Sequence, residues 1–142
     1  MVFAAGESFG GQAVSIRPIV RGVMLCERVI VEDGTHNVSP INVFTRRWVN
    51  GFPSSPLQFD VFPLLAGGKG RVRITVRVSR GDTLESILAR NDTIDFADKL
   101  QEVRFIRRFT GCVFPVPGRY QAELVADNDL IAMTTFDVFL RE

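Results

Sequence analysis

The chain has 142 residues, 46% of them hydrophobic, and a formal net charge of +1 at pH 7. A chain of this length buries enough apolar surface to fold as one globular domain without a disulfide or a metal. A charge this close to zero argues against strong non-specific binding to nucleic acid, which is typical of basic domains. No stretch reaches the roughly 18 apolar residues of a membrane span, and the N-terminus lacks the basic start of a signal peptide. The sequence therefore predicts a cytoplasmic protein.

The start of the chain differs in composition from the rest. Residues 1–12 are rich in glycine and show no hydrophobic period, so we expect a flexible N-terminal tail there. Residues 13–142 are expected to form a single β-sandwich domain. At its beginning Val14 and Ile16 alternate with polar residues until Pro18, which predicts an edge strand or a bend.

Strands with a period of two dominate the remaining sequence. The clearest is RVRITVRVSR, residues 71–80, in which four apolar side chains alternate with polar ones: Val72, Ile74, Val76 and Val78. Further strands are predicted at 22–31, 36–49, 57–65, 84–96, 120–126 and 130–140, with turns between them. Residues 96–109 are ambiguous. We predict a short helical turn over Phe96–Leu100 and then one strand from about Glu102 to Phe109.

The stretch FPVPGRYQAEL, residues 114–124, predicts a tight turn followed by a strand. Pro117 presets its own φ and Gly118 accepts a positive φ, which is the requirement of a type II turn. Tyr120 then stands near the start of the penultimate strand. In immunoglobulin-like sandwiches a tyrosine at this place hydrogen-bonds upstream backbone, and a cysteine follows two residues later. Here that later residue is Ala122, so the inter-sheet disulfide is absent.

The run from about Pro18 to Phe139 resembles a bacterial family of uncharacterised domains with this fold. The resemblance rests on the segments VRGVMLCERV, NVFTRRW, FP, RVRITVRV, GCVFPVPGRYQAEL and LIAMTTFDV. It implies an all-β, antiparallel immunoglobulin-like β-sandwich of about seven to nine strands, with at most short helical turns. These segments are packing and turn motifs, so the resemblance implies no active site.

The residues that could carry chemistry are few and scattered. Cys26 and Cys112 lack the spacing of a redox or metal motif, and we expect both to be buried and reduced. His36 is the only histidine and lies in a polar turn, where it lacks the rigid neighbours of a catalytic triad. Asp92, Asp95 and Asp98 recur every three residues without the glycine and glutamate of a calcium loop. We therefore expect no catalytic residue, no metal site and no cofactor.

The row of arginines gives the one specific candidate for a binding site. Arg71, Arg73 and Arg77 share the solvent side of one predicted strand, and Arg104 and Arg108 share a side of another. If these strands are neighbours, the five form a cationic face for an anion or an acidic partner. The alternative is a solvated face with cross-strand pairs to Glu102 or Glu123.

The interpretation that fits best is a non-enzymatic binding or interaction module of the bacterial cytoplasm. Its expected partner is another protein or a second copy of the chain. Nucleic acid is disfavoured, and nothing indicates a membrane or a small-molecule substrate. Two alternatives remain open: an anion or nucleic-acid binder that uses the arginine face, and an enzyme with an unrecognised carboxylate site.

Overall fold

The computed structural model describes residues 14–142, which form ten β-strands in two sheets. The predicted tail, residues 1–12, lies outside the described residues. Within them there is no helix long and apolar enough to cross a membrane. The strands are β1 (Ile19–Val31), β2 (Val38–Val43), β3 (Arg46–Val49), β4 (Leu57–Ala66), β5 (Gly70–Arg80), β6 (Ser86–Phe96), β7 (Val103–Arg104), β8 (Arg107–Cys112), β9 (Gly118–Ala126) and β10 (Asp129–Leu140).

The two sheets have different shapes. The first sheet has the order β2-β1-β4, and β7 and β8 both pair with the remaining edge of β4. It curls into a half-barrel. The second sheet has the order β3-β10-β9-β5-β6. All neighbouring strands are antiparallel except β3 and β10, which are parallel. The all-β prediction is confirmed at this level.

The main core lies between the sheets and follows the period of two. Val72, Ile74, Val76 and Val78 are all fully buried, as the alternation in β5 predicts. Aromatic side chains fill the centre and contact each other at ring distances of 4.8 to 6.4 Å: Phe44, Phe59, Phe109, Phe114, Tyr120 and Phe136. Aromatic pairs in such geometry add to the burial of apolar area. Both cysteines are free and buried, and burial raises the pKa of Cys112 to about 11.

The segment predicted as one strand over residues 36–49 is divided between the two sheets. β2 belongs to the first sheet and β3 to the second, and the chain crosses at Phe44 and Thr45. Phe44 is buried in the main core, whereas Ile41 and Val43 are exposed. The alternation of apolar and polar residues did not reveal this crossing, because a strand in either sheet turns one side toward the same core.

The segment over residues 96–109 also differs from its prediction. β6 continues to Phe96, and the predicted helical turn is a single reverse turn in which the Gln101 N–H donates to the Asp98 carbonyl at 3.2 Å. The one expected strand is two short ones, β7 and β8. Together with the division at Phe44, this gives ten strands instead of seven to nine.

At the corner before β9, Gly118 has a positive φ of 135°, as predicted. This angle is larger than the roughly 80° of a type II turn, and β9 already begins at Gly118. The Tyr120 hydroxyl donates to the Val116 carbonyl and accepts from the Val116 N–H at 3.4 Å. The hydroxyl therefore satisfies the upstream backbone, as expected for a tyrosine at the start of this strand. Burial raises the pKa of Tyr120, so the phenol stays protonated.

We predict that Gly118→Ala lowers the free energy of unfolding by about 1 kcal/mol, because a side chain resists positive φ. A Cβ at Gly118 would meet no atom within 4 Å, so crowding cannot contribute to the effect. Gly51→Ala is the control, because its Cβ would also meet open space but its φ is not positive. Denaturant unfolding of both variants tests the prediction, and equal stability of Gly118→Ala and wild type would contradict it.

Candidate functional site

The first three arginines of the predicted cationic face lie together on the outer side of the second sheet. The Arg71 Nε lies 3.1 Å from Asp95 Oδ1 on β6, and both side chains are exposed. The Arg77 Nε lies 2.7 Å from Glu123 Oε1 on β9. Arg71 and Arg73 are exposed and Arg77 is half-buried, as expected from the burial of the intervening residues.

Arg104 and Arg108 lie elsewhere. Their strands β7 and β8 pair with β4 in the first sheet, opposite Leu64 and Asp60. Since the sheets pack face to face, their outer sides point in opposite directions. The condition for one face of five arginines, that their strands are neighbours, is therefore not met. Anion binding by either group on its own stays a prediction.

Glu123 is the centre of a hydrogen-bonded cluster on the outer side of the second sheet. It is buried and accepts from Arg77, from the Ser79 hydroxyl at 3.0 Å and from the Gln121 amide at 2.8 Å. Burial alone would raise the pKa of Glu123, but these three donors outweigh it and lower that pKa. The pair between Arg77 and Glu123 is one of the cross-strand pairs that the alternative to a free cationic face predicted.

The three regularly spaced aspartates have separate partners. Asp92 lies 3.2 Å from Arg107 and joins β6 to β8 across the margin of the two sheets. Asp95 pairs with Arg71, and Asp98 accepts from the backbone N–H of Leu100 at 2.8 Å. Between residues 14 and 142 no three His, Cys, Asp or Glu side chains stand close enough to hold a metal ion.

The remaining candidates are exposed or small. His36 is exposed in the turn after β1, where it has a φ of 60° and its N–H donates to the Glu32 carbonyl at 3.0 Å. A pocket beside the Tyr120 corner has a volume of about 80 Å³. Small-molecule sites typically have roughly 300 Å³ or more.

Asp60 is the residue that sequence reasoning missed. It is fully buried in β4, and Arg108 binds it with two hydrogen bonds, from Nε to Oδ1 at 2.8 Å and from Nη2 to Oδ2 at 2.9 Å. This contact raises the pKa of Arg108. The signal was available, because a carboxylate inside the apolar run LQFDVFPLLA needs a partner if it is buried.

Asp60 and Arg108 also form hydrogen bonds with the backbone of β1. Asp60 Oδ2 accepts the Val29 N–H at 2.7 Å, and Arg108 Nη2 donates to the Val29 carbonyl at 3.5 Å. β1 pairs with β4 only as far as Cys26, which lies opposite Asp60. Beyond that point the two side chains take the place of a neighbouring strand for Val29.

The end of β1 and all of β2 form a two-stranded ribbon, residues 27–43, that coils over the first sheet. Cys26 and Val29 would lie on opposite sides of a flat strand, yet both are buried in one small cluster with Phe62. Met24, Val38, Leu64 and Ile106 pack against that cluster. Burial and the charge of Asp60 raise the pKa of Cys26, which keeps its thiol protonated at neutral pH.

The side of the ribbon that points away from this cluster is exposed. We call it the ribbon face, and its members are Arg28, Ile30, Glu32, Ser39 and Ile41. Ile30 is 50% exposed and Ile41 is 43% exposed. The pairing of Ile30 with Ser39 and of Arg28 with Ile41 makes these side chains contiguous across the two strands.

One edge strand of each sheet, β2 in the first and β6 in the second, is protected against pairing with another chain. On the outer edge of β2, Pro40 cannot donate a hydrogen bond and Asn42 has a φ of 53°. On β6, Arg90 and Asp92 lie opposite Val76 and Ile74 and therefore point toward the core side. Proline and inward-pointing charges are known devices against edge-to-edge association. A partner is therefore better accommodated on a sheet face than on an edge.

The model of a family of unknown function, DUF6941, matches residues 21–139 of the chain. No curated protein matches the chain. The match begins within β1 and ends within β10, so it includes Asp60, Arg108 and the whole ribbon.

We predict that Asp60→Asn lowers the free energy of unfolding by about 2–3 kcal/mol, because it leaves the Arg108 guanidinium and the Val29 N–H without their charged partner. Asp95→Asn is the control. It breaks an ion pair of which both members are exposed, and such pairs contribute less than about 1 kcal/mol. Denaturant unfolding at pH 7 compares the two variants, and equal losses would show that burial gives Asp60 no special weight.

We predict that Glu123→Gln removes a pH-dependent part of the stability. Because the folded pKa of Glu123 is below its ordinary value of 4.5, the contribution of its ionised form is complete above about pH 4.5 and is lost as the pH falls below it. At pH 7 the free energy of unfolding of the wild type should exceed that of Glu123→Gln by about 1–3 kcal/mol. That difference should shrink in unfolding curves measured from pH 5 down to pH 3. A difference that stays constant over this range would contradict the prediction.

Proposed function

The chain belongs to DUF6941, a family of unknown function, and we propose that it is a non-enzymatic interaction module that binds a protein through the ribbon face. The observation that carries this proposal is the exposure of Ile30 and Ile41 on a ribbon held in place by the ion pair of buried Asp60 with partly exposed Arg108. Burying a carboxylate is costly even when it is paired, and such a pair is weak evidence for stability alone. Its effect here is to fix the position of the ribbon.

Fixing the ribbon matters because a two-stranded ribbon is only marginally stable in water. The contacts of Asp60 and Arg108 with Val29 restrain its backbone before any partner arrives. A surface that is ordered in advance loses less conformational entropy when it binds. Contiguous exposed apolar side chains with a polar rim are typical of interaction sites.

At the level of fold we propose an immunoglobulin-like sandwich. The strand order β10-β9-β5-β6 corresponds to G-F-C-C′ of variable-type immunoglobulin domains. Tyr120 at the start of β9 has the position and the hydrogen bonds of the tyrosine corner in strand F. The curled first sheet with its ribbon is a departure from that fold.

We place the module in the bacterial cytoplasm. The free thiols of Cys26 and Cys112 suit a reducing compartment. The alternatives have less support. The arginines are divided between opposite faces, and the buried carboxylates Asp60 and Glu123 already accept hydrogen bonds from arginines. An enzyme would need a carboxylate that is free to take or give a proton.

A photo-crosslinking amino acid at position 30 or 41 tests the proposal in cells that naturally produce the protein. We expect defined protein adducts from both positions. The controls carry the same amino acid at Ile19 and Leu84, which are more exposed than Ile30 but lie outside the ribbon. Equal adduct yields at all four positions, or none at any, would contradict binding through the ribbon face.

A further inference from the structure

We propose that the ribbon face binds the ribbon face of a second copy of the chain. A two-fold axis that passes between the two Ile30 side chains relates the copies. This inference rests on the proposed function, because it names the occupant of the same face. It is carried by the order of charges along the ribbon and by the protection of its edge.

Three exposed residues of the ribbon alternate along one side. Side chains two positions apart on a strand point the same way, so Arg28, Ile30 and Glu32 form a row with opposite charges at its ends. Glu32 follows β1 directly, and its N–H donates to the Asn37 carbonyl at 2.8 Å, so the ribbon pairing continues to this residue. The Thr35 hydroxyl bonds Glu32 Oε1, which leaves Oε2 available.

This row is complementary to itself when it is reversed. A two-fold axis across the strands sets the two copies of β1 antiparallel, with Ile30 against Ile30. Arg28 of each copy then faces Glu32 of the other, so two equivalent ion pairs form at once. In such an isologous contact one self-complementary patch serves both copies. Opposite charges at both ends also fix the register.

The second strand of the ribbon contributes apolar area beside this row. Ile41 lies opposite Arg28, and Ser39 lies opposite Ile30. Pro40 and Asn42 block the outer edge of β2, so the copies meet by their faces and not by adding strands. The face is small, and interfaces below about 1,200 Å² are typical of weak, transient complexes. The dimer is therefore reversible and depends on concentration.

Charge reversal tests the arrangement directly. In sedimentation-equilibrium runs over roughly 10 μM to 1 mM, a range suited to a weak interface, wild type should pass from monomer to dimer. Arg28→Glu and Glu32→Arg should each weaken the association at least about tenfold, because each places like charges together in both pairs. The double variant Arg28→Glu/Glu32→Arg should restore it. Arg73→Glu, an exposed arginine outside the ribbon, is the control and should leave it unchanged.

The outcomes separate this inference from the proposed function. Circular dichroism first confirms that each variant is folded. A wild type that stays monomeric, or a dimer that the single reversals do not weaken, overturns the second-copy inference. So does a double variant that associates no better than the singles. In these cases crosslinks from positions 30 and 41 to a different protein would still support an interaction module. Crosslinked products with twice the mass of the chain, together with restored association in the double variant, would support the dimer.

Discussion

The hydrogen bonds between the Asp60–Arg108 pair and the backbone of Val29 hold the ribbon, residues 27–43, against the rest of the first sheet. β1 leaves β4 after Cys26, and from there no backbone of a described strand lies beside Val29 on that side. An unpaired buried N–H and carbonyl would each cost roughly the desolvation of a polar group. The carboxylate and the guanidinium supply both missing partners. The sheet can therefore curl and place the ribbon over its own outer side.

That curling produces a second core without a covering helix. Val29 and Val38 of the ribbon pack with Phe62 and Cys26, so part of the outer side of the first sheet is buried by the chain itself. On the outer side of the second sheet the Glu123 cluster joins β5 to β9, and Trp48, Met133 and Phe139 are exposed beside it. The ribbon face is a region where exposed apolar side chains adjoin opposite charges. In the proposed function, the first sheet carries the interaction surface.

The parts of the structure that follow from local rules could be predicted from the sequence. Val72 to Val78 alternate because β5 has one side in the core, and Gly118 and Tyr120 belong to a turn whose chemistry is specific. The sheet to which a strand belongs depends on contacts between distant residues. The pattern therefore could not show that the chain changes sheets at Phe44, or that Arg77 and Arg108 point to opposite sides. Asp60 stood in an apolar run, but its partner Arg108 is 48 residues away.

Hydrogen exchange at the Val29 amide tests the central claim most directly. If the ion pair replaces a strand, this amide should exchange as slowly as the amides that join β1 to β4, although its acceptor is a side chain. In Asp60→Asn it should exchange at least about tenfold faster, while the amides of β5 keep their rates, because local opening does not require global unfolding. An unchanged rate at Val29 in the variant, or an equal loss of protection over both sheets, would contradict the account.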